Sequence, residues 1–153
     1  MSVLEIFVLC IFCICFAATS PVKDCVNKAT TAKNVTVVVG DCDMTGSTCT
    51  LKRGTNASVT VTFTAESEDH KAVAKVEGLI AGIPIPFNVG HSDGCAYAKS
   101  GLSCPMVKTK VYTYRHLVPV LNSYPKISLT VVWNLIGDSE SIFCFAMGAQ
   151  ISD

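Results

Sequence analysis

The residues of this sequence best suited to catalysis or metal binding are its three histidines. His70, His91 and His116 stand far apart, with no His-x-x-x-His pair and no pair of carboxylates at ligand spacing. No Gly-x-Ser-x-Gly segment supplies a nucleophile either. We therefore predict that the chain is not an enzyme, uses no cofactor and binds no metal, and that each histidine lies on the surface or in a loop.

One acidic segment imitates half of a calcium-binding loop. Residues 41–46, with Asp41, Asp43 and Thr45, follow the spacing of the first half of an EF-hand, but Lys52 stands where the bidentate glutamate is required. No helices are predicted beside the segment. A turn closed by a disulfide is the better interpretation.

The start of the chain has the layout of a secretory signal peptide. Ile6 to Phe16 is an apolar run of 11 residues, and small residues follow it from Ala17 onward. The run is too short for a transmembrane helix, which needs roughly 20 residues. We predict a signal peptide at 1–18, cleavage near Ala18 and one domain at 19–153, either secreted or delivered to lysosomes.

The charge of the chain excludes one class of partner. The sequence has 12 Lys and Arg and 12 Asp and Glu, and Glu5 is the acidic residue that leaves with the signal peptide. The domain is therefore close to neutral, whereas nucleic-acid binding needs a concentrated basic face. We predict no nucleic-acid partner.

The cysteine content predicts a disulfide framework. Removing the signal peptide reduces nine cysteines to six, and an even number in a secreted domain indicates three bridges. Six cysteines permit many pairings, and the sequence alone does not choose among them. Spacing favours two short loops and one bridge between the ends of the domain: Cys42–Cys49, Cys95–Cys104 and Cys25–Cys144.

Alternating hydrophobicity predicts an all-β fold. In Ser58–Thr64, Val59, Val61 and Phe63 share one face and threonines occupy the other, as in a half-buried strand. The same period runs through 127–135 and 143–151, and weaker candidates lie at 35–39, 49–51, 72–80 and 108–114. About seven strands without a helix predict an all-β sandwich of two antiparallel sheets that is immunoglobulin-like at most, because Trp133 does not fit the cysteine–tryptophan framework of a true immunoglobulin domain.

Two apolar stretches are interrupted by prolines. In Gly78–Phe87, Pro84 and Pro86 exclude a central strand and place the run at a sheet edge or in a loop. One interpretation is core packing between strands. The other is the mouth of an apolar cavity, where Ile83, Ile85 and Phe87 touch an apolar ligand or a membrane. A second stretch, at 117–125, could face the first across the sandwich.

Two sequons are usable in a secreted protein. They begin at Asn34 and Asn56, each followed two residues later by Thr or Ser. Both are candidate N-glycosylation sites.

Several of these elements occur together and in order in one known family. The chain resembles Niemann-Pick type C2-like proteins of the MD-2-related lipid-recognition (ML) family, which also contains the group 2 mite allergens. The resemblance runs from about Lys23 to the last predicted strand. It is carried by six cysteines in order and by Lys23-Asp-Cys25, Arg53-Gly54, Gly82-Ile-Pro-Ile-Pro-Phe87, Cys104-Pro105, Pro119-Val120 and Tyr124-Pro125.

The resemblance implies a fold and a ligand site. It implies an immunoglobulin-like sandwich, the disulfide pairing favoured by spacing, and a hydrophobic tunnel between the sheets. In sterol-binding members the tunnel mouth is lined by residues that match Phe87, Val120 and Tyr124. The further candidate ligand-binding residues are Ile83, Ile85, Pro119 and Trp133.

The resemblance also implies a function. It is that of a monomeric carrier that binds a sterol or another apolar lipid and makes transient contact with a membrane or a membrane-protein acceptor. The alternative is a secreted lipid-recognition protein of innate immunity or chemical signalling that binds fatty acids, glycolipids or small semiochemicals. Leu121 stands where the mammalian sterol carrier has lysine, which argues against the same acceptor surface. The family's usual sequon near Thr60 is missing, so extracellular residence is as well supported as lysosomal residence.

The size of a sterol predicts how the cavity behaves. It requires on the order of 400 Å³, within the usual range of ligand sites. An empty rigid void of that size would cost roughly 10 kcal/mol, at about 24 cal/mol per Å³. We therefore expect the cavity to be largely collapsed until a ligand enters.

Overall fold

The computed structural model describes residues 20–153, and every regular element among them is a β-strand. The predicted signal peptide at 1–18 lies outside the described residues, as does residue 19. Within 20–153 no helix is long and apolar enough to cross a bilayer. The all-β prediction is confirmed.

Nine strands form the fold, two more than the seven expected. The additions are β1, which is short, and β6, which contains both prolines of the first apolar stretch. In chain order the strands are β1 (Val22–Asp24), β2 (Lys33–Val39), β3 (Cys49–Lys52), β4 (Thr55–Thr64), β5 (Val73–Ile80), β6 (Ile83–Phe87), β7 (Val111–Val120), β8 (Ser128–Ile136) and β9 (Ser141–Ser152).

The strands divide into two sheets. The larger has the order β1-β9-β8-β5-β6, and β3 joins β9 beyond the end of β1. The smaller has the order β2-β4-β7. Neighbouring strands are antiparallel except for β3 and β9, which are parallel. The inward faces of both sheets carry the apolar residues of the alternating pattern.

Prolines explain why β6 lies at an edge of the larger sheet. Pro84 and Pro86 pair with Leu79 and Glu77 of β5, and none of residues 20–153 forms a partner strand on the other side of β6. Proline has no backbone N–H to donate to a second neighbour, so an edge is the position open to it. The edge placement brings Phe87, at the end of β6, to the opening between the sheets.

Three disulfides fasten the sandwich with the expected pairing. Cys25–Cys144 ties the end of β1 to β9 across 119 residues of sequence. Cys42–Cys49 connects the end of β2, in the smaller sheet, to β3 in the larger. Cys95–Cys104 closes a loop between β6 and β7.

His116 lies in the core, so its predicted surface or loop position is wrong. The side chain is only 2% exposed because His116 follows Tyr112 and Tyr114 on the inward face of β7. Its Nε2 lies 3.0 Å from the Val89 carbonyl oxygen, and its Nδ1 lies 3.2 Å from the Tyr114 hydroxyl. A carbonyl only accepts, so Nε2 donates to Val89 and Nδ1 accepts from Tyr114. His70 and His91 are exposed, as predicted.

Replacing His116 tests this buried network. We expect His116→Leu to lower the free energy of unfolding by about 1–3 kcal/mol, because the Tyr114 hydroxyl loses its partner. Urea denaturation measures the loss. The control is His91→Leu at an exposed site, for which we expect a change within about 0.5 kcal/mol. Equal losses in the two variants would contradict the role of the network.

Candidate ligand-binding cavity

An apolar cavity lies between the two sheets. It encloses about 70 Å³ and is bounded by β4 and β7 on one side and by β5, β8 and β9 on the other. Its surface is almost entirely apolar. Such a surface binds by removing apolar ligand area from water and offers little for hydrogen bonding.

The floor of the cavity is aromatic and rigidly packed. Trp133 is 2% exposed and stacks parallel to Phe145, with ring centroids 6.3 Å apart. Tyr114 packs against Trp133 edge to face at 6.2 Å, and His116 does so at 5.3 Å. The buried polar network around His116 therefore supports the cavity floor through Trp133.

The mouth is formed by residues that both line the cavity and reach solvent. Phe87 and Tyr124 are half-buried, and their rings meet edge to face with centroids 5.6 Å apart. Pro119 and Val120, at the end of β7, complete this side of the cavity. Burial raises the pKa of Tyr124 above its ordinary value of 10, at which the hydroxyl is already uncharged at neutral pH. The Phe87–Tyr124 pair closes the opening with apolar surface.

The structure separates the predicted ligand-binding residues into two groups. One group lines the cavity: Phe87, Pro119, Val120, Tyr124 and Trp133. Ile83 and Ile85 do not line it, since they are 66% and 48% exposed on β6. They lie near the mouth, on the surface that the protein presents to solvent.

Charge is scarce around this cavity. Among its lining residues, Glu77 is the charged one, and its carboxylate pairs with Lys75 Nζ at 2.9 Å. Within the part of the chain that the structure describes, no three His, Cys, Asp or Glu residues could hold a metal ion. The site can therefore enclose an apolar molecule, and it presents no nucleophile with a base.

Other cavity residues were identified in sequence only as members of strand faces. Val59 of β4, Leu129 and Val131 of β8 and Met147 of β9 line the cavity beside the predicted set. The sequence feature that identified them was the alternation of apolar and polar residues, which put them on the same strand faces as Phe63, Trp133 and Phe145. Periodicity marks the inward face but does not show where the two faces stand apart.

The comparison with protein families decides which family the chain belongs to. A family model described as the ML domain matches residues 19–151. The chain belongs to the ML-domain family. The resemblance predicted from sequence is therefore confirmed.

ML-domain relatives match over most of their length. The NPC intracellular cholesterol transporter 2 of Mus musculus is 39% identical over 131 residues, which cover 85% of this chain and 83% of that protein. The NPC intracellular cholesterol transporter 2 homolog a of Drosophila melanogaster is 36% identical over 145 residues, covering 94% and 95%. The mite group 2 allergen Gly d 2.02 of Glycyphagus domesticus is 29% identical over 129 residues, covering 84% and 95%.

A solved structure supports the fold of this ML-domain chain. The crystal structure of a Niemann-Pick type C2 protein from the Japanese carpenter ant superposes with a TM-score of 0.77 at 24% identity, covering 85% of this chain and 98% of that chain. The immunoglobulin-like sandwich is thereby confirmed. Membership of the ML-domain family also agrees with the prediction that the chain is not an enzyme.

Proposed function

We propose that this ML-domain protein is a secreted or lysosomal carrier that encloses one sterol, or a similarly apolar lipid, and transfers it between membranes. The observation that carries the proposal is the apolar cavity closed by Phe87 and Tyr124. The mouse and fly relatives named as cholesterol transporters support a sterol as the ligand. The protein acts as a monomer, since one sandwich contains the whole cavity.

The cavity must expand to hold such a ligand. Its 70 Å³ is far below the volume on the order of 400 Å³ that a sterol requires. A void of the present size costs about 2 kcal/mol, whereas a permanently open one would cost roughly 10 kcal/mol. The ligand therefore enters as the mouth opens and the sheets move apart, and its own apolar surface replaces the contacts that are lost.

Exposed apolar residues beside the mouth suggest how lipid is exchanged. Ile83 and Ile85 project from the edge strand that ends at Phe87, and Leu121, which is 46% exposed, follows Val120. We propose that this apolar rim touches the donor or acceptor membrane while lipid passes. Leu121, in place of the lysine of the mammalian carrier, suits a lipid surface better than a charged protein acceptor.

Transfer of a fluorescent sterol between vesicles tests the proposed function. We expect the protein to accelerate transfer in proportion to its concentration and to leave the sterol chemically unchanged. Uptake without transfer would favour the alternative of a lipid-recognition protein in immunity or signalling. The proposal is contradicted if the protein neither takes up the sterol nor transfers it.

A rim variant tests the membrane contact separately. We expect the double variant Ile83→Ser, Ile85→Ser to slow transfer about tenfold while sterol affinity stays near the wild-type value, because neither residue lines the cavity. The matched control is Val107→Ser, Val111→Ser, which also removes two exposed β-branched side chains, but at the end of β7 opposite to Val120. Equal transfer rates in both double variants would refute the membrane contact.

A further inference from the structure

One side of the mouth is a loop without regular structure. Residues 121–127 connect β7 to β8, and Tyr124 is the residue of this loop that lines the cavity. We call these residues the mouth loop. Its tip is a tight turn in which the Tyr124 N–H donates to the Leu121 carbonyl at 3.1 Å. A turn of this kind does not by itself fix the loop against the sandwich.

Arg53, in the turn between β3 and β4, reaches the main chain of this loop. Its Nη1 donates to the carbonyls of Asn122 and Tyr124, each at 3.3 Å. Its Nη2 pairs with the Asp153 carboxylate at the far end of the chain. The guanidinium thus joins the mouth loop to the residue after β9. Each of these bonds is charge-assisted, which makes it stronger than a neutral one.

The backbone beside Arg53 reinforces the contact. The Gly54 N–H donates to the Val120 carbonyl at 2.6 Å, and the Arg53 N–H donates to the Ser152 carbonyl at 2.9 Å. Gly54 has a φ of 75°, and a Cβ at this position would lie 2.9 Å from Asn122 Oδ1. Glycine therefore permits both the turn and the close approach of the mouth loop.

One atom of the guanidinium is withdrawn from solvent, although the Arg53 side chain as a whole is 25% exposed. Its Nε is buried and has no hydrogen-bond partner within residues 20–153. An unpaired buried donor is unfavourable, so the side chain keeps this position because its other contacts compensate. A solvated arginine would be free to turn this atom to water.

We propose that Arg53 is a positioning residue that holds the mouth loop, and with it Tyr124, against Phe87, and so sets how fast the cavity opens. The ligand part of this inference depends on the proposed carrier function. The opening of the mouth does not depend on the carrier function, because it is a property of the protein without a ligand. Loss of Arg53 should therefore speed opening and closing more than it changes affinity.

The contact persists in mildly acidic solution. Arginine stays protonated at all accessible pH values. Hydrogen bonds from Lys126 and Arg53 lower the pKa of Asp153, so its carboxylate stays ionised until the pH falls below its ordinary value of 3.8. Acidification of the kind found in lysosomes therefore leaves the Arg53–Asp153 pair in place.

Trp133 provides a readout of opening that needs no ligand. It is the one tryptophan in the sequence, and it lies buried at the cavity floor beneath the mouth. Quenching of its fluorescence by acrylamide measures how often the floor becomes accessible. Amide hydrogen exchange measures the same opening at the mouth loop.

The experiment compares Arg53→Ala with Lys33→Ala and the wild type. We expect Arg53→Ala to raise the quenching constant of Trp133 at least twofold and to speed exchange in the mouth loop about tenfold, from the loss of bonds to a charged group. Lys33→Ala removes an exposed cation paired with Glu66 at 2.9 Å, outside the mouth loop and the cavity lining, and should behave as wild type. If Arg53→Ala lacks a native circular dichroism spectrum, Arg53→Lys takes its place, since a single ammonium cannot reproduce the guanidinium fork.

The outcomes separate a positioning role from a structural one. Faster exchange confined to the mouth loop supports positioning, whereas faster exchange across both sheets, or no change in quenching and exchange, overturns it. Sterol dissociation about tenfold faster at near-equal affinity extends the result to the ligand. If the wild type takes up no sterol while Arg53→Ala still opens the mouth, the carrier function fails and the positioning role stands.

Discussion

Phe87→Ala will weaken sterol uptake by about one to two powers of ten, because burial of a phenylalanine contributes about 1.5–3 kcal/mol. The ring lies at the cavity mouth against Tyr124 and is half-buried. We expect Tyr124→Ser to have a similar effect from the other side of the mouth. Fluorescent-sterol titration measures both affinities.

The fold should survive both substitutions. Phe87 ends an edge strand and Tyr124 lies in a loop, so neither belongs to the fully buried core around Phe63 and Phe143. The matched control is Tyr97→Ser, which removes a half-buried aromatic that stacks on His91 and does not itself line the cavity. Sterol affinity that stays at the wild-type value in both mouth variants would refute the assignment of the site.

Removing the bridge between Cys25 and Cys144 will lower the free energy of unfolding by about 4–5 kcal/mol, the loss expected for a closed loop of more than one hundred residues. The two cysteines are 119 residues apart. Their bridge restricts the unfolded chain more than either short one does. Guanidinium denaturation of the double variant Cys25→Ser, Cys144→Ser measures the change.

The short bridges provide the comparison. Cys42 and Cys49 are only 7 residues apart, so their replacement by serine should cost about 2–3 kcal/mol. A loss at the short bridge equal to that at the long one would contradict the account based on loop length. Both variants must be refolded and measured under the same conditions.

The sequence predicted the sandwich because strand periodicity is a local property. Val59, Trp133 and Phe145 were all assigned to apolar faces, and all three line the cavity between the sheets. Pro84 and Pro86 identified the edge strand for a chemical reason, since neither has an N–H to donate. The cysteine spacing favoured the pairing because Cys42–Cys49 and Cys95–Cys104 close short loops of 7 and 9 residues, which leaves Cys25 and Cys144 for each other.

Features that depend on contacts between distant residues were not accessible in this way. Arg53 touches a loop about 70 residues away and a carboxylate 100 residues away. In the sequence Arg53 was noted only as part of the Arg53-Gly54 element of the family resemblance, which does not indicate a contact with the mouth loop. His116 was misplaced because its polarity outweighed the alternation that it continues from Tyr112 and Tyr114.

The volume of the cavity also could not be predicted from sequence. It depends on how far the inward faces of β4 and β8 stand apart, which is set by packing over the whole sandwich. The same packing explains why Ile83 and Ile85 lie outside the cavity although Phe87, on the same strand, lines it. Ile83, Ile85 and Phe87 alternate along one strand, so their position along β6 decides which of them reaches the cavity.

Native mass spectrometry tests the central claim most directly. After incubation with sterol-containing vesicles and removal of the vesicles, we expect the protein to carry one sterol per chain. The complex should be lost when Phe87 and Tyr124 are both replaced. A spectrum that shows only the bare mass, under conditions that preserve other lipid complexes, would contradict the claim that an apolar guest enters between the sheets.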